Sequence, residues 1–105
     1  MAHVKLSTHA QTDLEDIWSY IAEDNVTSAD KVVDELLQKF QLLAKSSGLG
    51  KKRDDLMLDL RGFPHKRYMI FYFVIDEGIE IFRVIHGSRD IDTVFDDMVP
   101  SEEIH

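Results

Sequence analysis

The sequence contains no cysteine, which excludes disulfide staples, thiolate metal sites and a cysteine nucleophile. No apolar run approaches the ~20 residues that a membrane-spanning helix needs, and the N-terminus lacks a signal-peptide pattern. The expectation is a cytoplasmic protein with no membrane partner. Basic residues are in deficit: 12 Lys and Arg stand against 20 Asp and Glu, a net charge of −8. Nucleic-acid binding needs clustered cations to neutralise phosphates, so direct DNA binding is not expected. The five histidines show no metal-ligand spacing, and glycine-rich phosphate loops and serine-nucleophile motifs are missing. Neither a metal nor any other cofactor is implied. There is no internal repeat and no low-complexity segment.

The 105 residues suffice for one domain with one modest core, and 44% hydrophobic with 30% charged residues is ordinary globular composition. Charge is distributed unevenly. Residues 1–44 carry −5, residues 45–89 carry +3, and residues 90–105 carry −6. A mildly basic middle between acidic flanks suits an acidic partner segment or a phosphate, and equally suits plain solvated surface charge.

The best-organised stretch is Tyr68–Asp90. Tyr68–Ile75 and Ile79–Ile85, rich in branched and aromatic residues, flank Asp76-Glu77-Gly78, which reads as a β-hairpin with Gly78 at positive φ. A three-residue loop pairs Ile75 with Ile79. It places Met69, Phe71, Phe73, Ile79, Ile81 and Arg83 on one face, opposite Tyr68, Ile70, Tyr72, Val74, Phe82, Val84 and His86. A two-residue Glu77-Gly78 loop would instead set Arg83 with Tyr72. In either register both faces are apolar and need cover.

Upstream, His3–Leu6 reads as a short strand, and Ser7 or Thr8 opens a helix, with Thr8 and Gln11 spaced as a capping box. Ala10, Leu14, Ile17, Trp18 and Ile21 form its apolar stripe, and Asp13 lies early enough to favour the helix dipole. Glu23-Asp24-Asn25 ends it. Thr27 with Asp30 restarts a second helix with the stripe Ala29, Val33, Leu36, Leu37, Phe40, Leu43 and Ala44, and the short link makes an antiparallel helical hairpin. Lys51-Lys52-Arg53 reads as an exposed basic loop. Met57–Arg61 reads as a second strand ending at Gly62-Phe63-Pro64. Asp92–Met98 fits a short acidic helix before a frayed end, within an acidic segment 91–105. The order β-αα-β-β-β predicts an α+β fold, a small mostly antiparallel sheet with the helical hairpin on one face. The second face then calls for a partner.

Four groups invite a functional reading. Arg83 interrupts an apolar strand and, once buried, needs a carboxylate, carbonyl or phosphate; one of the chain's own carboxylates serves as well as a ligand. His86-Gly87-Ser88-Arg89-Asp90 collects an imidazole, a hydroxyl, a guanidinium and a carboxylate at a strand exit. Such a set suits acid–base work on a phosphodiester, or a turn in which Asp90 caps the next helix and pairs with Arg89. Lys51-Lys52-Arg53 reads as solvated loop, and Trp18 as core.

The residues Leu6-Ser7-x-x-Ala10 with Asp13-Leu14-x-x-Ile17-Trp18-x-Tyr20-Ile21, Leu60-Arg61 before the hairpin, and Ile81-Phe82-Arg83-Val84-Ile85-His86-Gly87-x-Arg89-Asp90 together resemble the ParE/RelE superfamily of toxins from type II toxin–antitoxin systems. Within it the chain looks most like the ParE branch. The resemblance spans about residues 4–90. It implies the fold predicted above and a cognate antitoxin, ParD-like and commonly built on a ribbon-helix-helix DNA-binding dimer, docked along the toxin surface.

The superfamily implies one of two activities: ribosome-dependent mRNA cleavage in RelE-like members, or inhibition of DNA gyrase by binding in ParE-like ones. Where ribonuclease members put lysines on the second strand, this chain aligns Met57 and Asp59, and a carboxylate there would repel phosphate. Met69 replaces a catalytic arginine, and Phe95 a tyrosine. The resemblance therefore implies a gyrase-binding toxin without catalysis. Arg61, Arg83, His86 and Arg89 are its candidate target contacts, and Met69, Phe71, Phe73 and Ile81 its candidate antitoxin contacts. The same four polar residues would form the alternative ribonuclease site, and an inactive homologue that keeps only antitoxin binding is a third reading. Relatives are commonly basic, whereas this chain is acidic.

Overall fold

The computed structural model describes residues 2–98. The order is β1 (His3–Leu6), α1 (Thr8–Ala22), α2 (Val26–Lys45), a 3-10 turn (Ser47–Leu49), β2 (Lys51–Lys52), β3 (Arg61–His65), β4 (Tyr68–Ile75), β5 (Gly78–His86) and α3 (Ile91–Met98). The five strands form one sheet in the order β1-β5-β4-β3-β2, with β1 parallel to β5 and the other pairs antiparallel. This is the predicted α+β fold, with the expected strand His3–Leu6 at one edge and one unexpected two-residue strand, β2, at the other.

Local chemistry sets the helix starts. Ser7 caps α1: its hydroxyl accepts from the Ala10 N–H at 3.0 Å and donates to the Phe82 carbonyl at 2.7 Å, tying the helix to β5. Thr8 does not form the expected capping box, and Gln11 turns back to the Leu6 carbonyl. Asn25, not Thr27, caps α2 by accepting from the Ser28 N–H at 2.9 Å. Of the predicted stripes, Leu37 is 41% exposed. Trp18 is also not core: it is 37% exposed and donates its indole N–H to Asp30 across the helix pair at 2.8 Å.

The second strand begins where it was expected to end. Gly62, Phe63 and Pro64 lie inside β3, while Met57, Leu58 and Asp59 sit in a compact turn. Asp59 adopts φ 67°, and its N–H is held by the Asp54 carboxylate at 2.8 Å. Pro64 is tolerated because β2 pairs only with Arg61 and Gly62, leaving the rest of β3 at the sheet edge. The basic cluster that looked like loop contributes β2.

The hairpin turn is Asp76-Glu77, with Gly78 already paired to Ile75 and, in parallel, to His3. A side chain at 78 would overlap the His3 backbone. Together with a bulge opposite Phe71 and Tyr72, this register corrects the faces. Ile79 and Ile81 join Ile70, Tyr72 and Val84 beneath the helices, against Leu36, Phe40 and Leu43. Phe82 moves to the opposite face, packed around Phe71 and Ile85.

That second face was expected to need a partner, and much of its cover is internal. Val94 and Phe95 of α3, with Leu60 from the turn before β3, pack on Phe71 and Ile85. Phe95 meets Phe71 edge-on at 5.0 Å. Residues 91–98 of the acidic segment are therefore a packed helix, and the expected frayed end past Pro100 lies outside the described residues.

Candidate functional site

β1 ends at Leu6, so β5 beyond Ile81 would present an unpaired edge. α1 closes it. The Asp13 carboxylate accepts the Val84 N–H at 2.9 Å and takes the Arg83 guanidinium at 2.7 and 2.9 Å. The two side chains are only 12% and 11% exposed. Asp13 is thus a clamp for the strand edge and not a first-turn dipole residue. Arg83, with Nη1 also 3.2 Å from Met98 Sδ, is committed inside the protein.

Arg61 is similarly occupied, donating to the Gly50 carbonyl at 2.7 Å. The adjoining Tyr72 hydroxyl accepts the Gly50 N–H and donates to the Ser47 carbonyl, and burial raises its pKa. Gly50 is required here because a Cβ would strike the Tyr72 phenol. This network anchors the link from α2 to β2.

The strand exit behaves differently. His86 Nδ1 accepts the Ser88 N–H at 3.1 Å and lies 2.7 Å from the Ser88 hydroxyl. That places the ring proton on Nε2 and leaves a fixed N–H donor pointing away from the turn. Tyr68 stands edge-on to the imidazole at 5.4 Å. Arg89 is exposed, and among the described residues its guanidinium makes no ion pair. The expected pairing with Asp90 is not formed. Asp90 caps α3, accepting from the Thr93 hydroxyl at 2.8 Å and the Thr93 N–H at 3.3 Å, which holds its carboxyl below the usual range.

His86 and Arg89 border a groove of about 530 Å³ whose other wall is α1, with Ile17 and Tyr20 facing Tyr68 and Val84. Past Tyr20 and Tyr68 it continues into a second hollow of about 320 Å³ that reaches Glu35, His65 and Lys66. There Lys66 Nζ lies 2.6 Å from Glu35 and keeps its carboxyl below the usual range. His65 Nε2 lies 3.5 Å from the same carboxylate without a hydrogen bond. Of the four predicted target contacts, then, only His86 and Arg89 share a free surface. Tyr20, which is 78% exposed, entered the sequence reading only as a motif residue, because the packing of α1 across β5 brings it to the strand exit; His65 was missed because β3, which it ends, was placed too early in the chain.

Among the predicted antitoxin contacts, Phe71 and Ile81 are fully buried, and Ile81 lies on the helix-covered face. Met69 and Phe73 remain half-buried on the other face beside Phe82. Met57 and Asp59 are off the strand, so the repulsion expected from a carboxylate on the sheet has no structural basis. β3 carries Arg61, Phe63 and His65 instead. Phe95 lies in the α3 core.

The fold is that of a chain in the solved structure of a chromosomal ParDE TA system from P. aeruginosa, with a TM-score of 0.69 at 20% identity over 82% of this chain and 96% of that one. Residues 4–91 match the family model described as the ParE toxin of type II toxin–antitoxin systems. The chain belongs to this family, within the ParE/RelE superfamily. It is 32% identical over 91 residues to Toxin ParE1 of Caulobacter vibrioides, covering 86% of this chain and 94% of the relative. It is also 28% identical over 88 residues to Toxin RelE3 of the same organism, covering 83% and 96%.

Proposed function

We propose that the protein is a cytoplasmic toxin that inhibits DNA gyrase by binding, without catalysis, and is neutralised by a ParD-like antitoxin. The observation that carries this reading is the commitment of Arg83 to Asp13 and of Arg61 to Gly50. A ribonuclease must gather free cations around a scissile phosphate. Here two of the three candidate arginines are used internally, Met69 brings no cation, and His86 and Arg89 open into a groove beside α1. The surface left for target contact is that groove. For the antitoxin, the half-buried Met69, Phe73 and Phe82 supply an apolar strip on the opposite face. Purified protein is expected to block supercoiling by gyrase, and antitoxin is expected to restore it. Unimpaired supercoiling at saturating protein would defeat the proposal.

A ribosome-dependent ribonuclease is the second reading, favoured by the similarity to Toxin RelE3 and by Asp59 lying off the sheet. It predicts mRNA cleavage on expression that His86→Ala abolishes.

A further inference from the structure

The groove beside α1 has two chemically different walls. Ile17 and Tyr20 on α1 and Tyr68 on β4 make an apolar, aromatic floor open to solvent. The strand-exit wall presents the His86 Nε2–H, oriented by Ser88, and the exposed guanidinium of Arg89. We infer that this groove receives an acidic segment of the gyrase target, seating one apolar or aromatic side chain on Tyr20 and Tyr68 and a neighbouring carboxylate on His86 and Arg89.

Charge complementarity selects this occupant. The chain carries −8 overall, so a basic segment would find carboxylates over much of the surface and would gain little specificity here. An acidic segment is repelled by the acidic helices α1 and α3 and attracted to the Arg89 guanidinium on the strand-exit wall. Asp13 does not cancel that attraction, because its charge is neutralised by Arg83. Asp16 on the α1 wall remains exposed, so it steers an incoming carboxylate toward the opposite side and sets the direction of the bound segment. The aromatic floor supplies the desolvated anchor typical of strong interface positions.

This inference rests on the gyrase reading and specifies the chemistry its target-binding groove recognises. The test uses the full-length chain in a gyrase supercoiling assay, with thermal unfolding of every variant as the folding control. Arg89→Glu and Tyr20→Ala should each raise the half-inhibitory concentration on the order of tenfold to thirtyfold. Lys52→Glu, on the far edge strand, should leave it unchanged. Added salt should weaken inhibition by the parent more than by Arg89→Gln. If the parent does not inhibit gyrase, the gyrase reading fails and the groove assignment falls with it. If the parent inhibits and the folded Arg89→Glu and Tyr20→Ala proteins match it within twofold, the groove assignment alone is wrong.

Discussion

Arg83 and Arg89 belong to the same motif, yet one faces a carboxylate inside the protein and the other faces water. The difference comes from α1, which places Asp13 against the β5 edge just where β1 stops. Breaking a buried pair leaves an uncompensated charge, and here it also strips a strand N–H of its acceptor. Asp13→Ala is therefore expected to cost about 3–5 kcal/mol in urea unfolding, and Asp13→Leu with Arg83→Met to recover the part due to the unpaired charge but not the part due to the Val84 N–H. The need of Arg83 for a partner was visible in the sequence; that the partner would be Asp13, seventy residues away, was not. Asp90 shows the opposite case, since its role as a cap was legible from spacing alone. Its depressed pKa means that its contribution is present above the ordinary aspartate value of about 3.9 and is lost as pH falls through the lower folded value. In an acid titration followed by NMR, the Thr93 amide should shift with a midpoint below that ordinary value.

At the level of elements, α3 does most to alter the reading of the sheet. Its acidic sequence suggested a peripheral segment, but Val94 and Phe95 share one helix face and bury against Phe71 and Ile85. Phe95→Ala should cost about 3–5 kcal/mol and expose Phe71, measured as a lower unfolding midpoint with increased binding of a hydrophobic dye. The helix starts are a finer check. Asn25→Ala should cost about 1 kcal/mol, whereas Thr27→Ala should cost much less, because only Asn25 satisfies a free helix N–H. β3 was displaced in the sequence reading because Leu58-Asp59-Leu60-Arg61 alternates like a strand. The left-handed Asp59 and its bond to Asp54 turn that alternation into a loop.

For the molecule as a whole, both faces of the sheet carry apolar side chains, and its own helices cover much of each. The exposed edges are managed separately. β2 has only two residues, both lysines, and β1 exposes Lys5. Charged, short edges discourage pairing between copies. Replacing Lys51 and Lys52 together by valine should therefore increase self-association, read as a shift to larger species in sedimentation velocity at unchanged secondary structure.

The sequence by itself determined the first strand, the helical hairpin, the β-hairpin, the last helix and the superfamily, because apolar period, turn chemistry and motif order are local properties of the chain. Only the tertiary structure decided which strand faces lie under the helices, since one turn residue and one bulge exchange Ile79, Ile81 and Phe82 between the two faces. It likewise decided which cations are available. Arg61 looks free in sequence and Arg83 open to either an internal carboxylate or a ligand, and both are consumed by acceptors outside their own strands. His86 and Arg89 meet Tyr20 only because α1 packs across β5, and no local pattern encodes that meeting.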